Sequence, residues 1–138
     1  MDLDVADIER LLTDFAWFAD RGDGAALSEL FLPDAVLVVG GQRLEGRQAI
    51  ADDCVRRASE PGRKTRHVWS NLRLESLVDG VLQTNAIQQT IESNDRSGLS
   101  SMRVNDVLDT FQRDSHGRWR IASRHIDRQM HMKWGTNE

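Results

Sequence analysis

The sequence from Lys64 to Ser93, KTRHVWSNLRLESLVDGVLQTNAIQQTIES, decides the fold. Its polar and apolar residues alternate with a period near two, which is typical of extended strands. Asp79-Gly80 divides the stretch at a two-residue hairpin signal, so its two halves are predicted to be antiparallel neighbours. Two further extended segments are predicted at about 99–113 and 118–130, with turn-forming residues between them. Strands of this length must twist strongly around something that fills their concave side.

The residues before this stretch predict three helices that can close the concave side. Apolar residues recur at helical spacing from about residue 5 to 20, and the pattern resumes from Ala25 to Leu32 before Pro33-Asp34 stops it. A short hairpin around a Gly-Gly turn is predicted over 35–45, and a third helix from Arg47 to about Ala58. This order favours an α+β fold, a cone-shaped barrel of three N-terminal helices packed on a strongly curved antiparallel or mixed sheet.

The length, net charge and cysteine count of the chain argue against several classes of function. The chain has 138 residues, and 18 Lys+Arg against 22 Asp+Glu give a formal net charge of −4. This length predicts a single domain over residues 1–138, and dispersed basic residues in an acidic chain argue against a nucleic-acid partner. The single cysteine, Cys54, and the lack of zinc-ligand spacing predict neither an internal disulfide nor a metal site. The N-terminal sequence lacks a secretory pattern and no apolar run approaches ~20 residues, so we expect a cytoplasmic protein without a membrane partner.

Two side chains are candidates for chemistry. Asp20 lies at the C-terminal edge of the first helix's apolar stripe, where the helix dipole disfavours an unpartnered carboxylate. By strand alternation, His67 shares one face with Thr65, Trp69 and Asn71. A functional histidine needs a carboxylate that fixes its tautomer. Taken alone, a solvated aspartate at a helix end and a hydrogen-bonded structural histidine remain the alternatives.

Five motifs in order give the chain a resemblance to a known family. They are Phe18-Ala-Asp20-Arg-Gly-Asp23, Leu30-Phe-Leu-Pro-Asp-Ala35, Gly46-Arg-Gln-Ala-Ile50, Thr65-Arg-His67 followed by Asn71, and Trp119-Arg-Ile-Ala-Ser-Arg124. Together they resemble the SnoaL-like branch of the nuclear transport factor 2-like superfamily over nearly the whole chain. The resemblance implies a curved antiparallel sheet and three helices around a conical pocket.

The resemblance also implies roles for named residues. Asp20 and His67 match the Asp/His dyad of scytalone dehydratase, bile acid 7α-dehydratase and hexachlorocyclohexane dehydrochlorinase, and Arg124 matches an arginine in the dehydrochlorinase pocket. The chain contains no tyrosine, so it departs from the phenol-using members of the superfamily. Other polar donors and aromatic walls are therefore expected to contact substrate. The predicted substrate-binding residues are Trp69, Phe15, Trp17, Asn71, Asn85 and Gln88.

These observations predict a lyase that needs no cofactor. His67 would remove a proton, Asp20 would hold the imidazole, and Arg124 or Trp69 would assist a departing oxygen or halide. The substrate is expected to be a small, mainly apolar cyclic molecule. Two alternatives stay open: a non-catalytic ligand-binding or dioxygenase β-subunit-like domain, and a polyketide cyclase or isomerase. An exposed sheet face and the apolar segment from Met130 to Trp134 predict a homo-oligomer, as a dimer or trimer.

Overall fold

A computed structural model describes residues 3–135 as three helices packed on a six-stranded sheet. The helices are α1 (Val5–Arg21), α2 (Gly24–Ser28) and α3 (Arg47–Ala58). The strands are β1 (Phe31–Val39), β2 (Gln42–Glu45), β3 (Arg63–Val78), β4 (Val81–Asn94), β5 (Leu99–Arg113) and β6 (Trp119–Gly135). None of the helices within residues 3–135 has the length and apolar character needed to cross a membrane.

The strands follow the order β2-β1-β6-β5-β4-β3 in the sheet. β3 to β6 are consecutive antiparallel neighbours, as their turn sequences predict, whereas β1 pairs with β6 in parallel. The sheet is therefore mixed. It is open rather than a closed barrel, because β2 and β3 form its two edges. The predicted α+β architecture of N-terminal helices on one sheet is confirmed, with that correction.

The position of α1 follows from its sequence. The Asp4 side chain caps its first turn, accepting a hydrogen bond from the Ala6 backbone, and Gly22 ends it in the left-handed conformation with φ 68°. Its apolar stripe is buried in the core: Ile8, Leu11, Leu12 and Phe15. Burial of this stripe fixes the rotation of the helix and so directs Asp20, in the last turn, toward β3.

The second helix is shorter than the sequence pattern predicts. α2 ends at Ser28, and the chain is already extended at Phe31, so the prediction of helix as far as Leu32 is wrong. Phe31 is fully buried and pairs with β6. Pro33 lies inside β1 instead of ending a helix, at a register shift between Phe31 and Val36. Such an irregularity tolerates a residue that has no backbone N–H to donate.

The apolar C-terminal segment belongs to the sheet. β6 continues past its predicted end near Met130 as far as Gly135, and its final residues pair with the start of β5. Met130 and Trp134 remain 55% and 51% exposed. The homo-oligomer that this apolar surface suggests stays a prediction.

Candidate active site

A cavity of about 100 Å³ lies between the helices and the sheet. Its helix side and far wall are mainly apolar and include Phe15, Leu37 and Ile50. Polar side chains from three neighbouring strands form its other side: Arg63, His67, Gln88, Thr90, Arg103 and Asn105. A wider cleft of about 890 Å³ shares several lining residues with this cavity and forms its mouth. An enclosed apolar space with a few polar groups is the usual form of a small-molecule site.

Asp20 and His67 are in direct contact at this cavity. Asp20 Oδ1 lies 2.5 Å from His67 Nδ1, and Asp20 Oδ2 accepts a hydrogen bond from the His67 backbone N–H at 3.0 Å. The Thr65 hydroxyl donates to Oδ1 at 3.1 Å. The two side chains are only 4% and 15% exposed. A carboxylate acceptor at Nδ1 assigns the neutral imidazole to the Nδ1–H tautomer, so Nε2 is left as the basic nitrogen.

Opposing effects act on the pKa of Asp20. Burial by itself would raise the pKa, because it disfavours the charged form. Hydrogen bonds from the His67 side chain and backbone, the charge of His67 and the Thr65 hydroxyl together outweigh burial, and the pKa of Asp20 falls below its ordinary value of 3.8. Asp20 is therefore a carboxylate at neutral pH, and it accepts hydrogen bonds rather than donating them.

This lowered pKa predicts a loss of stability in acid. A carboxylate whose pKa is lower in the folded state stabilises the fold above the unfolded-state pKa, and that contribution is lost as the pH falls through the folded pKa. We expect the free energy of unfolding to decrease below pH ~4. The decrease should be smaller in Asp20→Asn, which has no carboxylate to protonate. Urea denaturation between pH 3 and 6 measures both, and identical pH dependence in the two proteins would contradict the prediction.

Gln88, Thr90 and Asn105 form a polar strip beside His67. His67 pairs with Thr90 across β3 and β4, and Gln88 pairs with Asn105 across β4 and β5. The Asn105 amide donates to Gln88 Oε1 at 3.4 Å, and both side chains are buried. Gln88, for which substrate contact was predicted, lines the cavity. Thr90 and Asn105 were missed, although alternation places Asn105 on the same inward face as Val107.

A family model and several solved structures of other proteins resemble this chain. Residues 3–125 match the family model of the SnoaL-like domain. The chain belongs to the SnoaL-like domain family. The resemblance seen in its sequence motifs is thereby confirmed. No curated protein gives a significant sequence match to this SnoaL-like domain.

Solved structures share the fold of this SnoaL-like domain at low sequence identity. A candidate scytalone dehydratase from Novosphingobium aromaticivorans is 18% identical, with a TM-score of 0.82 over 96% of this chain and 91% of that protein. A type 2 hexachlorocyclohexane dehydrochlorinase is 17% identical, with a TM-score of 0.84 over 94% and 88%. ActVI-ORFA from Streptomyces coelicolor is 16% identical, with a TM-score of 0.78 over 91% and 96%. Likeness at these identities establishes the fold.

Arg124 of the SnoaL-like domain binds a carboxylate that sequence reasoning did not find. Its Nε and Nη2 donate to the two oxygens of Asp109 at 2.8 and 2.9 Å, and the side chains are 3% and 0% exposed. The guanidinium carbon lies 4.3 Å from the centre of the Phe15 ring. Phe15 lines the 100 Å³ cavity, whereas Arg124 borders only a void of about 10 Å³ that it shares with His67. The signal for this pair was a carboxylate between Val107 and Phe111 on the inward face of β5.

The two tryptophans that were predicted to contact substrate lie outside the 100 Å³ cavity. The Trp69 indole N–H donates to the Thr13 hydroxyl at 3.0 Å and so links β3 to α1. Trp17 is 55% exposed, with the Arg21 guanidinium 3.4 Å from its ring centre. Both tryptophans border a surface groove between α1 and β3 that Asp20 and His67 also line, and neither lines the 100 Å³ cavity. Trp17 lies two residues after the buried Phe15, and helix positions two apart do not face the same way.

Asn71 and Asn85 also lie away from the cavity. Asn71 is exposed, with φ 57°, where the β3–β4 register shifts, so the alternation that placed it beside His67 is broken. The Asn85 amide donates to Glu75 at 2.9 Å on the outer side. Asn85 differs in parity from Gln88 on β4, and only one of them can face inward. Neither asparagine lines the cavity, and substrate contact by Asn71 and Asn85 stays a prediction.

Proposed function

We propose that this SnoaL-like domain is a cofactor-independent lyase that eliminates water or halide from a small, mainly apolar cyclic substrate. The contact between Asp20 and His67 Nδ1 beside a cavity with an apolar wall carries the proposal. Within residues 3–135, no hydrogen bond engages His67 Nε2. This nitrogen is free to accept a proton from a bound substrate, with its tautomer held by the carboxylate behind it.

The proposed reaction is a base-promoted elimination. His67 Nε2 takes a proton from the carbon next to the one that bears the leaving group. The electron pair of the broken C–H bond forms the new carbon–carbon double bond, and the leaving group departs with its own bonding pair. A departing hydroxide takes the proton back from the imidazolium and leaves as water, whereas a halide leaves as the anion and the imidazolium then releases its proton to solvent water. The Asp20 carboxylate stabilises the imidazolium that exists between these events.

Hydrogen-bond donors for the departing group lie next to His67. The amides of Gln88 and Asn105 line the cavity on the neighbouring strands. Arg124 uses Nε and Nη2 on Asp109, so its Nη1 amino group is the part left for the role predicted from sequence. Because Arg124 borders the small void beside His67, that role requires the departing atom to reach this void. Donors positioned at developing charge typically contribute about 10²- to 10³-fold to a rate.

Two structural neighbours support the reaction class. One is described as a candidate scytalone dehydratase and another as a hexachlorocyclohexane dehydrochlorinase, and both names denote eliminations. A cavity with an apolar wall and one imidazole base, His67, suits the same chemistry on a ring compound. These similarities support an elimination and leave the substrate to experiment.

A substrate screen with a histidine variant tests the proposal. Cyclic alcohols and halides are incubated with the purified protein, and product is followed by alkene absorbance and halide release. For any substrate found, His67→Gln should lower the rate about 10²- to 10⁴-fold, because the base is lost. His116→Gln, in the exposed turn before β6, is the matched control and should leave the rate unchanged. Turnover that survives in His67→Gln would overturn the assignment.

A further inference from the structure

Arginines concentrate at the mouth of the cavity. Among the described residues, the 890 Å³ cleft is lined by five arginines and three carboxylates: Arg56, Arg57, Arg63, Arg103, Arg128, Glu60, Glu92 and Asp127. Asp53 adds a fourth carboxylate and forms ion pairs with Arg56 and Arg57. Positive charge remains in excess, although the chain as a whole carries −4. A cleft with an excess of one sign of charge attracts ligands of the opposite sign.

Two of these arginines share a single carboxylate oxygen. Arg63 Nε and Arg103 Nη2 lie 3.2 and 3.1 Å from Glu92 Oε1, and the three side chains are only 12%, 20% and 21% exposed. Burial alone would raise the pKa of Glu92, but the charges and hydrogen bonds of Arg63 and Arg103 hold it below its ordinary 4.5. Glu92 is therefore charged, and one carboxylate faces two guanidinium groups.

Glu60 is a second carboxylate near Arg63, and its ion pair with Arg63 is weak. Glu60 lies 3.7 Å from Arg63, but it is 57% exposed, and water screens such a contact. Arg63 also donates to the Arg57 backbone carbonyl at 2.9 Å, which holds its guanidinium in place. Arg63 and Arg103 both border the inner cavity as well as the cleft. Their incompletely matched charge thus lies on the path from solvent to His67.

We propose that Arg63 and Arg103 bind a carboxylate of the substrate, which makes the substrate of this domain a small cyclic carboxylic acid. This inference rests on the proposed elimination and names the substrate class for the same site. A guanidinium presents paired N–H donors in the geometry of a carboxylate, which favours that anion over a spherical one. The excess positive charge at the mouth suits a monoanion.

The strand register places the anion site and the base within reach of one small molecule. His67 pairs with Thr90, and Thr90 pairs with Arg103 on the next strand. Two strand spacings separate the backbones of His67 and Arg103 by about 10 Å, and the side chains converge on the cavity between them. Phe15 and Ile126 line the same cavity and offer apolar contact to a ring. A ring acid would lie with its carboxylate outward and its reacting carbon at His67.

Binding of two simple probes tests the inference without any turnover. Benzoate and benzamide have nearly the same shape and differ in charge, so their dissociation constants isolate the contribution of the anion. Calorimetry on the intact protein should show benzoate binding about tenfold to a hundredfold more tightly than benzamide, as for hydrogen bonds to a charged group. Equal affinities, or no benzoate binding at all, would overturn the inference. Tighter binding of phenyl phosphate than of benzoate would overturn its carboxylate assignment.

Three variants should respectively lower, raise and leave unchanged the binding of benzoate. Arg63→Gln combined with Arg103→Gln should bring the benzoate-to-benzamide affinity ratio to about one, because both donors of charge-assisted hydrogen bonds are lost. Glu92→Gln should raise benzoate affinity severalfold, because the competing carboxylate is removed. Arg10→Gln, which removes an exposed arginine paired with Asp14 on α1, is the control and should leave the ratio unchanged. Unchanged benzoate affinity in Glu92→Gln would contradict the inference even if the double variant fails to fold.

The same measurements separate this inference from the proposed function. His67→Gln should retain the benzoate selectivity, since the base is not part of the anion site. Benzoate selectivity together with no elimination activity on ring acids would overturn the proposed function and keep the anion site. Elimination from neutral ring compounds together with equal probe affinities would keep the proposed function and overturn the anion site.

Discussion

Replacing Asp20 by asparagine should lower the rate of elimination by about 10⁴-fold, the loss seen when the carboxylate of a serine-protease triad becomes an amide. The reason is both geometric and electrostatic. Three donors converge on the Asp20 carboxylate: the Thr65 hydroxyl, the His67 backbone N–H and His67 Nδ1. An amide offers a single oxygen to these donors, and its NH₂ group would face one of them. It also removes the negative charge that stabilises the imidazolium.

Two companion variants distinguish the charge of Asp20 from its packing. Asp20→Glu keeps the carboxylate and should retain more activity than Asp20→Asn. Thr65→Val keeps Asp20 and removes one hydrogen bond, which should lower the rate by no more than about tenfold. Circular dichroism and benzoate binding show whether each variant is folded with its cavity intact. A folded Asp20→Asn variant within tenfold of the wild-type rate would show that the carboxylate does not position a base.

The strands were predictable because their local signals agree with the final structure. Asp79-Gly80 joins β3 to β4 as a two-residue hairpin, and alternation over β3 and β4 gave strand boundaries close to those observed. The prediction of helix around Phe31 failed for a physical reason. Phe31 continues the helical spacing of Leu27, yet it is buried by pairing with β6, far along the chain. Periodicity alone does not distinguish a short buried strand from a buried helical turn.

The site was predictable where one local pattern determined a side chain's direction. Asp20 follows the buried stripe of α1, and His67 follows regular alternation with Thr65, which gave the direction of each side chain, while their pairing was implied by the family resemblance. Asn71 could not be placed, because a left-handed residue at an irregular register interrupts the alternation. Asp109 was missed because its partner, Arg124, lies on another strand. Pairings of this kind depend on which strands become neighbours, and residue spacing does not contain that information.

The mouth of the cavity shows how composition can mislead about a site. An acidic chain with dispersed arginines suggests no preference for anions, and the aromatic residues suggested a mainly apolar substrate. The fold gathers five of those arginines around one cleft. They come from α3, β3, β5 and β6, so the cleft brings together arginines from Arg56 to Arg128. Local charge at a site is thus a property of the topology, and the net charge of the chain does not reveal it.

Removing Asp109 should destabilise the folded protein by about 3–5 kcal/mol, because it leaves the Arg124 guanidinium buried without a partner. Asp109→Ala is the direct test, with the free energy of unfolding measured by urea denaturation. Asp14→Ala breaks the exposed pair with Arg10 and is the matched control, with an expected cost of about 0.3–0.5 kcal/mol.

A double replacement separates the cost of an unpaired charge from the loss of packing. Asp109→Leu with Arg124→Met fills the site with apolar side chains, and exchanges of this kind for a buried ion pair are often neutral or stabilising. We expect the double variant to be more stable than Asp109→Ala. If Asp109→Ala costs less than ~1 kcal/mol, the pair does not hold Arg124 in the core. Arg124 would then be free to leave the face of Phe15 and act at the substrate cavity, as the sequence resemblance implied.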